Sequence, residues 1–482
     1  MGALFVWGCA PLDASSAREA AIVNALVRQD ERELRGRPRL VEGKFARMAR
    51  TQYDFYRGEL ALFRADLADG RLAGTGTAFD VPGALPFSIG DAHPENFGLL
   101  LGRDERLALE PNDLDAADRY PYFWDLRRLT VGLVLASRVA GVVEVESVLQ
   151  SALDAYIDTL AAQANGTATP MRIDAAGTNP VLVDLFRRGE RDRLARAELQ
   201  ALTEITVEGR RFVRGAPDAA DPENTLASLP DWVLASLPVL LAQYRATLES
   251  PPEPAYFAVR DVVREFGTGV SSWPRIRILV LVEGPSLSPD DDVILEIKEE
   301  AQSGATGIVP LGVYADDEPA RIRQASRAAW ALGSASEPLW SATTWLGMPV
   351  QIRRESEAHK TIRIVRLTGD SGTLDALRGL ASTLGALLAR IQGGEGYGIV
   401  TSHFAERFTT RLGDARARFI ADEVTQAVSY ADQVETDYAL FREALRTRGP
   451  RLGFNQVLDV SDRPSGLRAE LYGEPPRVEP WE

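Results

Sequence analysis

The sequence predicts an α+β protein in which a small antiparallel β lobe is inserted into a larger, helix-rich lobe. Apolar residues recur at helical spacing in residues 14–70, 121–248 and 373–448. Between the last two blocks, a proline-rich segment at residues 249–254 precedes several short apolar runs of the kind that form strands. These observations place the strands in the middle of the chain, with helices on either side.

The individual elements follow from their local patterns. The helical period is strongest near the C-terminus, in Leu377, Leu380, Leu384, Leu387 and Leu388. The apolar runs predicted as strands of the β lobe are residues 276–282, 293–298, 348–353 and 361–365. A further short strand is predicted at residues 86–89, and residues 99–101 and 107–109 flank a turn, which predicts a hairpin.

We divide the chain into four parts on these grounds. They are an N-terminal tail and helix (1–40), the first part of the large lobe with its functional loops (41–250), the β lobe (251–370), and the C-terminal helices that complete the large lobe (371–482).

The composition limits the classes of partner. The chain has 482 residues, of which 45% are hydrophobic and 26% charged, enough for a large core in two or three lobes. No apolar run is long enough to span a bilayer. The formal net charge of -15 argues against nucleic acid, because binding to phosphates relies on basic surfaces.

The N-terminus leaves two interpretations of location. We expect a cytoplasmic protein with an extra N-terminal tail. The alternative is an envelope lipoprotein anchored through Cys9, the single cysteine, which follows a short apolar stretch. That alternative requires a signal sequence that is truncated in this chain, since no Lys or Arg precedes the apolar stretch.

Carboxylate and amide side chains cluster in two loops. The strand at residues 86–89 runs into the sequence GDAHPENFG, which contains Asp91 and Asn96, and the hairpin leads to a second loop with Asp113 and Asp115. A hairpin returns its far end to the side of its start, so these groups can face one cavity. Asp91 can take up a proton, whereas Asn96, Asp113 and Asp115 offer the oxygen ligands that Mg²⁺ prefers beside phosphate.

Each of these residues also has a simpler structural interpretation. Asp91 can cap a turn, His93 can pack against the strand, and Asp113 and Asp115 can form Asx turns. Their combination between two glycines favours a functional site. We expect His93 to hold the loop through a hydrogen bond, because no second histidine lies nearby in the sequence.

A second signal lies in the β lobe. A turn with Gly267, Gly269 and Ser271 precedes a strand, and the following strand ends near Lys298. Backbone N–H groups of a glycine turn can approach phosphates, and a lysine on a neighbouring strand can pair with them. Either feature alone is weak, because most such turns and lysines have no ligand.

Four further residues are supporting candidates. Arg57 follows two aromatic residues and either contacts a phosphate or forms a structural ion pair. Asp125 is expected to hold the first loop by hydrogen bonds. Arg127 or Arg128 is expected to pair with Asp118 or another carboxylate.

The first loop is similar to the catalytic loop of aminoglycoside-phosphotransferase-like kinases, and residues 113–115 look like their metal-binding segment. More closely, the chain resembles the bacterial family called domain of unknown function 2252. The stretches that carry this resemblance are residues 55–58, 90–96, 112–116, 124–129, the turn at Gly267, 298–301 with Ser303, and 430–433 with 437–438.

The resemblance implies a two-lobed, protein-kinase-like fold. In kinases the glycine turn and lysine precede the catalytic loop, whereas here they follow it, which a circular permutation would explain. The chain departs from the family at Ser272, where a third glycine is usual, and at Gln392, where a histidine is usual. The glutamate that would pair with the lysine is Glu318, although Gln324 stands where it is first expected.

We therefore expect an ATP- and Mg²⁺-dependent phosphotransferase that acts on a small-molecule acceptor. Asp91 would accept the proton, Asn96 and Asp113 would hold the metal, and Lys298 would bind phosphates. One alternative is a nucleotide-binding pseudokinase without turnover. Another is a metal-dependent hydrolase that uses Asp91, His93, Asp113 and Asp115 as ligands.

Overall fold

A computed structural model describes residues 14–68, 78–168, 171–215, 225–300, 318–330, 337–394 and 403–455. Cys9, Ala301 and Ser303 lie outside these ranges. The described chain combines many helices with antiparallel sheets, which confirms the predicted α+β class. No described helix combines the length and apolar character that crossing a bilayer requires.

In the described residues up to the start of α6, the first part of the chain forms five helices and two small pairs of strands. The helices are α1 (Ala14–Gln29), α2 (Glu31–Gly36), α3 (Pro38–Met48), α4 (Gln52–Gly58) and α5 (Leu60–Ala68). The strands are β1 (Phe87–Ser88), β2 (Phe97–Leu101), β3 (Leu107–Pro111) and β4 (Asp118–Arg119). β2 and β3 form the predicted hairpin, and β1 pairs with β4.

The following segment is less uniformly helical than the sequence predicts. Its elements are α6 (Phe123–Ala140), α7 (Val145–Ala164), α8 (Pro180–Ala195), α9 (Ala197–Leu202), β5 (Thr203–Thr206), β6 (Gly209–Phe212), β7 (Thr225–Ala227) and α10 (Asp231–Thr247). The expectation of helix throughout residues 121–248 is therefore wrong at the β5–β6 hairpin and at β7, which pairs with β8 (Val259–Phe266). The β-branched Thr203, Ile205 and Thr206 favour an extended chain there.

The described residues of the β lobe include a six-stranded antiparallel sheet. Its remaining elements are β8 (Val259–Phe266), β9 (Arg277–Val282), β10 (Val293–Glu299), α11 (Glu318–Ala329), β11 (Ser341–Trp345) and β12 (Met348–Arg354). The strand order is β11-β12-β10-β9-β8-β7. The predicted strand at residues 361–365 is wrong: Thr361 forms only an isolated bridge to Gly98, because the chain there crosses to the large lobe.

Helix α10 covers the apolar face of this sheet. Its buried residues Val233, Leu237, Leu240, Leu241 and Tyr244 recur at helical spacing and pack in one core with sheet residues such as Leu295 and Ile297. The β lobe therefore includes a helix that precedes the proline-rich segment, so this segment is a connection within the lobe. The apolar face of a sheet is stable only when another element covers it.

The C-terminal helices share a core with the N-terminal ones. They are α12 (Leu374–Gly393), α13 (Phe404–Leu412) and α14 (Arg416–Arg448). Phe441 of α14 packs on Phe45 and Phe55 of the N-terminal helices, with ring centroids 6.1 and 5.1 Å away. The two ends of the described chain thus close a single large lobe around one apolar core.

Candidate functional site

A polar cleft of about 150 Å³ lies where the sheet faces the large lobe. Apart from Gly269 and Val270, every residue that lines it is polar or charged. Typical sites for drug-sized apolar ligands are larger, roughly 300–1,000 Å³, and mostly hydrophobic. The size and polarity of this cleft suit a phosphate group and a cation, so the larger part of a nucleotide would extend beyond it.

The two acidic loops meet because β1 and β4 pair side by side. Ser88 is opposite Asp118 in this pair, which brings the loop after β1 against the loop before β4. Gly90 has a φ of 83°, and a Cβ atom there would lie 2.0 Å from the carbonyl oxygen of Ala116. Only glycine permits this close approach in this conformation.

Asp91 lies in the cleft and is held by a buried arginine. Its Oδ1 accepts a hydrogen bond of 2.7 Å from Nε of Arg128, and its Oδ2 lies 3.7 Å from Nε2 of His93. Burial alone would raise the pKa of Asp91, but the Arg128 guanidinium lowers it below its ordinary value. Burial lowers the pKa of His93 to about 3, so this imidazole is neutral at pH 7.

Lys298 meets the second acidic loop across the cleft. Its Nζ lies 2.8 Å from a carboxylate oxygen of Asp115 and 3.5 Å from Oδ1 of Asp113. The Nδ2 atom of Asn96 donates a 2.8 Å hydrogen bond to the carbonyl of Asp91. This bond leaves the amide oxygen of Asn96 available, and both Asn96 and Asp113 line the cleft.

The two carboxylates of the second loop differ in their environment. Asp113 is 37% exposed, and desolvation together with the neighbouring Asp115 raises its pKa. Asp115 is 13% exposed; burial opposes its ionisation, but the Lys298 ammonium group lowers its pKa well below the ordinary value. Burial and the carboxylate of Asp115 raise the pKa of Glu300 well above its ordinary value.

The glycine turn closes the cleft from the side of the sheet. Gly269, Ser271 and Ser272 line the cleft, whereas Gly267 lies behind them and accepts a hydrogen bond from Arg47. Gly269 has a φ of 83°, and a Cβ atom there would lie 2.4 Å from Oγ of Ser272. The turn therefore has no room for a side chain at this position.

The supporting residues predicted from the sequence lie in different parts of the structure. Asp125 accepts hydrogen bonds from the N–H groups of Ile89 and Gly90, at 2.7 and 2.9 Å, and so holds the first loop as expected. Burial raises the pKa of Asp125 to about 7, although these two hydrogen bonds oppose the shift. Arg127 does not line the cleft; it pairs with Glu423 of α14.

Several basic residues that line the cleft are not among the site residues predicted from the sequence. Arg277 and Arg353 lie on the strands that flank β10 and line the cleft, and both contact Glu296. Lys298 is directly opposite Arg277 in the register, so alternation along the strands would have identified this arginine. Arg363 lies in the segment that was wrongly predicted as a strand, and no comparable pattern in the sequence indicates that it lines the cleft.

Helix α11 holds the second acidic loop from behind. Arg321, 4% exposed, donates to the carbonyl oxygens of Asp115 and Ala117 at 2.9 and 2.5 Å. Trp330 donates to the carbonyl oxygen of Pro111 at 2.8 Å. Glu318 pairs with Arg321, at 2.6 Å, and no contact between Lys298 and Glu318 or Gln324 is present in the described chain.

Gln392, the second position at which the chain departs from the family pattern, lies outside the cleft. Gln392, in α12, accepts a hydrogen bond from Tyr156 and donates one to the carbonyl of Tyr122. It is buried, and its side chain supports the chain just before α6. Both the amide oxygen and the amide nitrogen of Gln392 are therefore used in hydrogen bonds within the fold.

The side chains fit a magnesium ion of the kind that is held partly by phosphate. Within the described ranges, no three His, Cys, Asp or Glu side chains converge as an all-protein metal site requires. Mg²⁺ needs fewer protein ligands when phosphate oxygens and water complete its shell. Asp113, partly exposed, and the free amide oxygen of Asn96 meet this need at the cleft.

The chain was compared with known proteins and families. No curated protein and no solved structure matches it. One family model matches residues 35–444, a range that includes all the lining residues of the cleft. This match covers most of the chain and confirms the predicted resemblance to this bacterial family, whereas the resemblance to kinases stays a prediction. The protein belongs to the family described as uncharacterized protein conserved in bacteria (DUF2252).

Proposed function

We propose that the protein binds Mg²⁺ and ATP in this cleft and transfers the terminal phosphoryl group to a small-molecule acceptor. The observation that carries the proposal is the position of Lys298. A lysine of the sheet lies within 2.8 Å of Asp115 and 3.5 Å of Asp113, although these residues are far apart in the sequence. A cation and carboxylates on facing walls are what a metal–phosphate complex requires.

The order of elements in the β lobe supports the proposal. A glycine turn joins β8 and β9, Lys298 lies on the next strand, β10, and a helix, α11, follows it. Protein kinases use this order for the glycine-rich loop, the phosphate-binding lysine on the third strand, and the helix behind it. The catalytic loop precedes these elements here, so we infer a kinase-like fold with a circularly permuted chain.

The residues divide the chemistry between them. Lys298 and the backbone of the glycine turn would bind phosphates, and Asn96 and Asp113 would hold the magnesium ion. Bound magnesium neutralises charge on the phosphate oxygens. Asp91 would orient the acceptor hydroxyl and accept its proton as the oxygen–phosphorus bond forms and the bond to ADP breaks. Catalysis would then rest on positioning and charge neutralisation.

One observation favours a second candidate, a nucleotide-binding protein without turnover. Active kinases pair the phosphate-binding lysine with a glutamate of the following helix. Here Lys298 pairs with the acidic loop, and Glu318 of α11 pairs with Arg321. The metal-dependent hydrolase has less support, since its proposed ligands do not converge within the described chain.

Thermal unfolding and ATP turnover of the full-length protein test the proposal. We expect Mg²⁺-ATP to raise the Tm, because a ligand that binds only the folded state stabilises it. Asp113→Asn should abolish the part of this rise that depends on Mg²⁺. Asp91→Asn should keep the rise and reduce release of the terminal phosphate by at least about 100-fold, the scale of general-base catalysis. Asp375→Asn, at a 92% exposed carboxylate outside the cleft, is the matched control.

The outcomes separate the three functions. Stabilisation by Mg²⁺-ATP without turnover in the wild type would support the non-catalytic candidate. Stabilisation by a divalent metal alone, unaffected by Lys298→Met, would support the hydrolase. If neither nucleotide nor metal changes the Tm, the proposed site is wrong.

A further inference from the structure

One end of the cleft contains two arginines around a single buried glutamate. Nη1 of Arg57 lies 2.8 Å from Oε2 of Glu95, and Nη1 of Arg363 lies 3.4 Å from the same oxygen. The other oxygen, Oε1, accepts a 2.8 Å hydrogen bond from the N–H of Ile364. Glu95 is 5% exposed in its side chain and is therefore held firmly in place.

This end of the cleft has positive charge and hydrogen-bond donors that are available to an anion. Two guanidinium groups share one carboxylate, which leaves one positive charge uncompensated by Glu95. The Nε atom of Arg57 is buried and has no hydrogen-bond partner among the residues that the structure describes. The side chain of Arg363 is 49% exposed, so its remaining N–H groups can reach a ligand. A buried donor without a partner is costly unless a ligand satisfies it.

The two arginines lie beside the proposed proton acceptor. Both Arg57 and Arg363 line the same small cleft as Asp91 and His93, and the imidazole of His93 is 3.7 Å from Asp91. They belong to the wall of the large lobe, whereas Lys298 and the glycine turn, which would bind the phosphates of ATP, belong to the opposite wall. An anion held by the arginines would thus belong to a second molecule.

We propose that Arg57 and Arg363 bind a phosphate or carboxylate group of the acceptor and so place its hydroxyl against Asp91. Arginine suits this task because its planar fork donates two parallel hydrogen bonds to either group. The electrostatic field of a cleft lined by positive groups also raises the local concentration of anions. The inference rests on the proposed function and narrows the acceptor to small anionic molecules that carry a hydroxyl group.

Binding of small anions to the full-length protein tests this inference. The protein is saturated with Mg²⁺ and the non-hydrolysable ATP analogue AMP-PNP, and inorganic phosphate and acetate are titrated separately by calorimetry. We expect at least one anion to bind, and Arg363→Gln to weaken that binding about tenfold or more. The preferred anion identifies the acceptor group as phosphate or carboxylate. Arg366→Gln, an exposed arginine of the same segment that does not line the cleft, should bind like the wild type.

The results that would overturn this inference differ from the results that would overturn the proposed function. If an anion binds the free protein but not the protein saturated with AMP-PNP, the arginines serve the nucleotide phosphates and the inference is wrong. It is equally wrong if neither anion binds, or if Arg363→Gln binds like the wild type. If AMP-PNP itself does not bind, the proposed function fails. Anion binding that is lost in Arg363→Gln would then still establish the anion site on the free protein.

Discussion

At the scale of single residues, Asp91 is held in place by Arg128, whose own side chain is held by further contacts. Arg128 donates to Asp91, to Glu59 at 2.8 Å and to the carbonyl of Tyr56 at 2.6 Å, and its guanidinium lies 3.8 Å from the ring centroid of Tyr56. Such an arginine keeps the Asp91 carboxylate ionised and in one orientation. Asp91 would therefore act by its position more than by high basicity.

Gly90 provides a residue-scale prediction about the first loop. We expect Gly90→Ala to lower the free energy of unfolding by more than about 3 kcal/mol, because positive φ and a close backbone contact add together. The matched control is Gly347→Ala. Gly347 has a φ of 81° but no atom within 4 Å of the added Cβ, so it should lose only about 1–2 kcal/mol.

Chemical unfolding of the two variants measures this difference. Equal losses in both would show that the loop can move away from Ala116, and that the close approach at Gly90 is not required. A greater loss in Gly90→Ala would attribute the excess to the contact between the two loops.

At the scale of elements, β10 shows how one strand serves both the core and the cleft. Leu295 and Ile297 pack beneath α10, whereas Glu296 and Lys298 point to the opposite face of the sheet. This alternation follows from the two-residue period of a strand. A one-residue change of register would remove Lys298 from the cleft.

Helix α11 provides the prediction at this scale. Arg321→Met removes the donors to the carbonyls of Asp115 and Ala117, and we expect a loss of about 2–3 kcal/mol in the free energy of unfolding. Because Asp115 pairs with Lys298, we also expect a smaller rise in Tm with Mg²⁺-ATP. The matched control is Arg323→Met, since Arg323 donates from the same helix to Ala342 of β11.

Thermal unfolding with and without Mg²⁺-ATP distinguishes the two arginines. Both variants should unfold at lower temperature, but only Arg321→Met should respond less to the ligand. An equal response in both would mean that α11 stabilises the fold without positioning the acidic loop.

At the scale of the whole molecule, the N-terminal helices connect the large lobe to the sheet. Glu299 of β10 accepts from Arg37 at 2.5 and 3.0 Å, from Arg32 at 2.8 Å, and from the N–H of Ile276 at 2.9 Å. Glu299 is 1% exposed, so this is a buried ion pair between distant parts of the chain. Residues before the functional loops thereby restrict the position of the sheet that carries Lys298.

This contact predicts a loss of stability in acid. Burial opposes ionisation of Glu299, but Arg37 and Arg32 lower its pKa to about 2. A carboxylate with a lowered pKa stabilises the fold above its unfolded pKa of about 4.5, and this stabilisation is lost as the pH falls towards 2. A shift of this size corresponds to about 3 kcal/mol. We therefore expect Glu299→Gln to lose about 3–5 kcal/mol at pH 7 and to differ less from the wild type near pH 3.

Urea unfolding at pH 7 and pH 3 measures this dependence. Glu31→Gln is the control, because Glu31 forms an exposed pair with Arg35 and should change stability by less than about 1 kcal/mol. A difference between Glu299→Gln and the wild type that stays constant with pH would contradict the assignment to the Glu299 charge.

Much of the local structure follows from the sequence, because it depends on neighbouring residues. Short apolar runs identify three strands of the β lobe, and the apolar runs around a short turn identify the β2–β3 hairpin. The strand predicted at residues 361–365 is wrong because this segment meets a partner that is distant in the sequence, Gly98. The helix predicted across 203–212 is wrong because two neighbouring segments pair there as the β5–β6 hairpin. Local propensity cannot report a contact that the rest of the fold supplies.

The sequence by itself determined the α+β class, the family, and two acidic loops that had to meet because a hairpin joins them. Only the tertiary structure decided which cations face them. Arg128 reaches Asp91, Arg321 supports the acidic loop, and Arg363 joins Arg57 at the end of the cleft. The physical reason is that a long, flexible side chain can pair with any of many carboxylates. Packing of the lobes selects the partner.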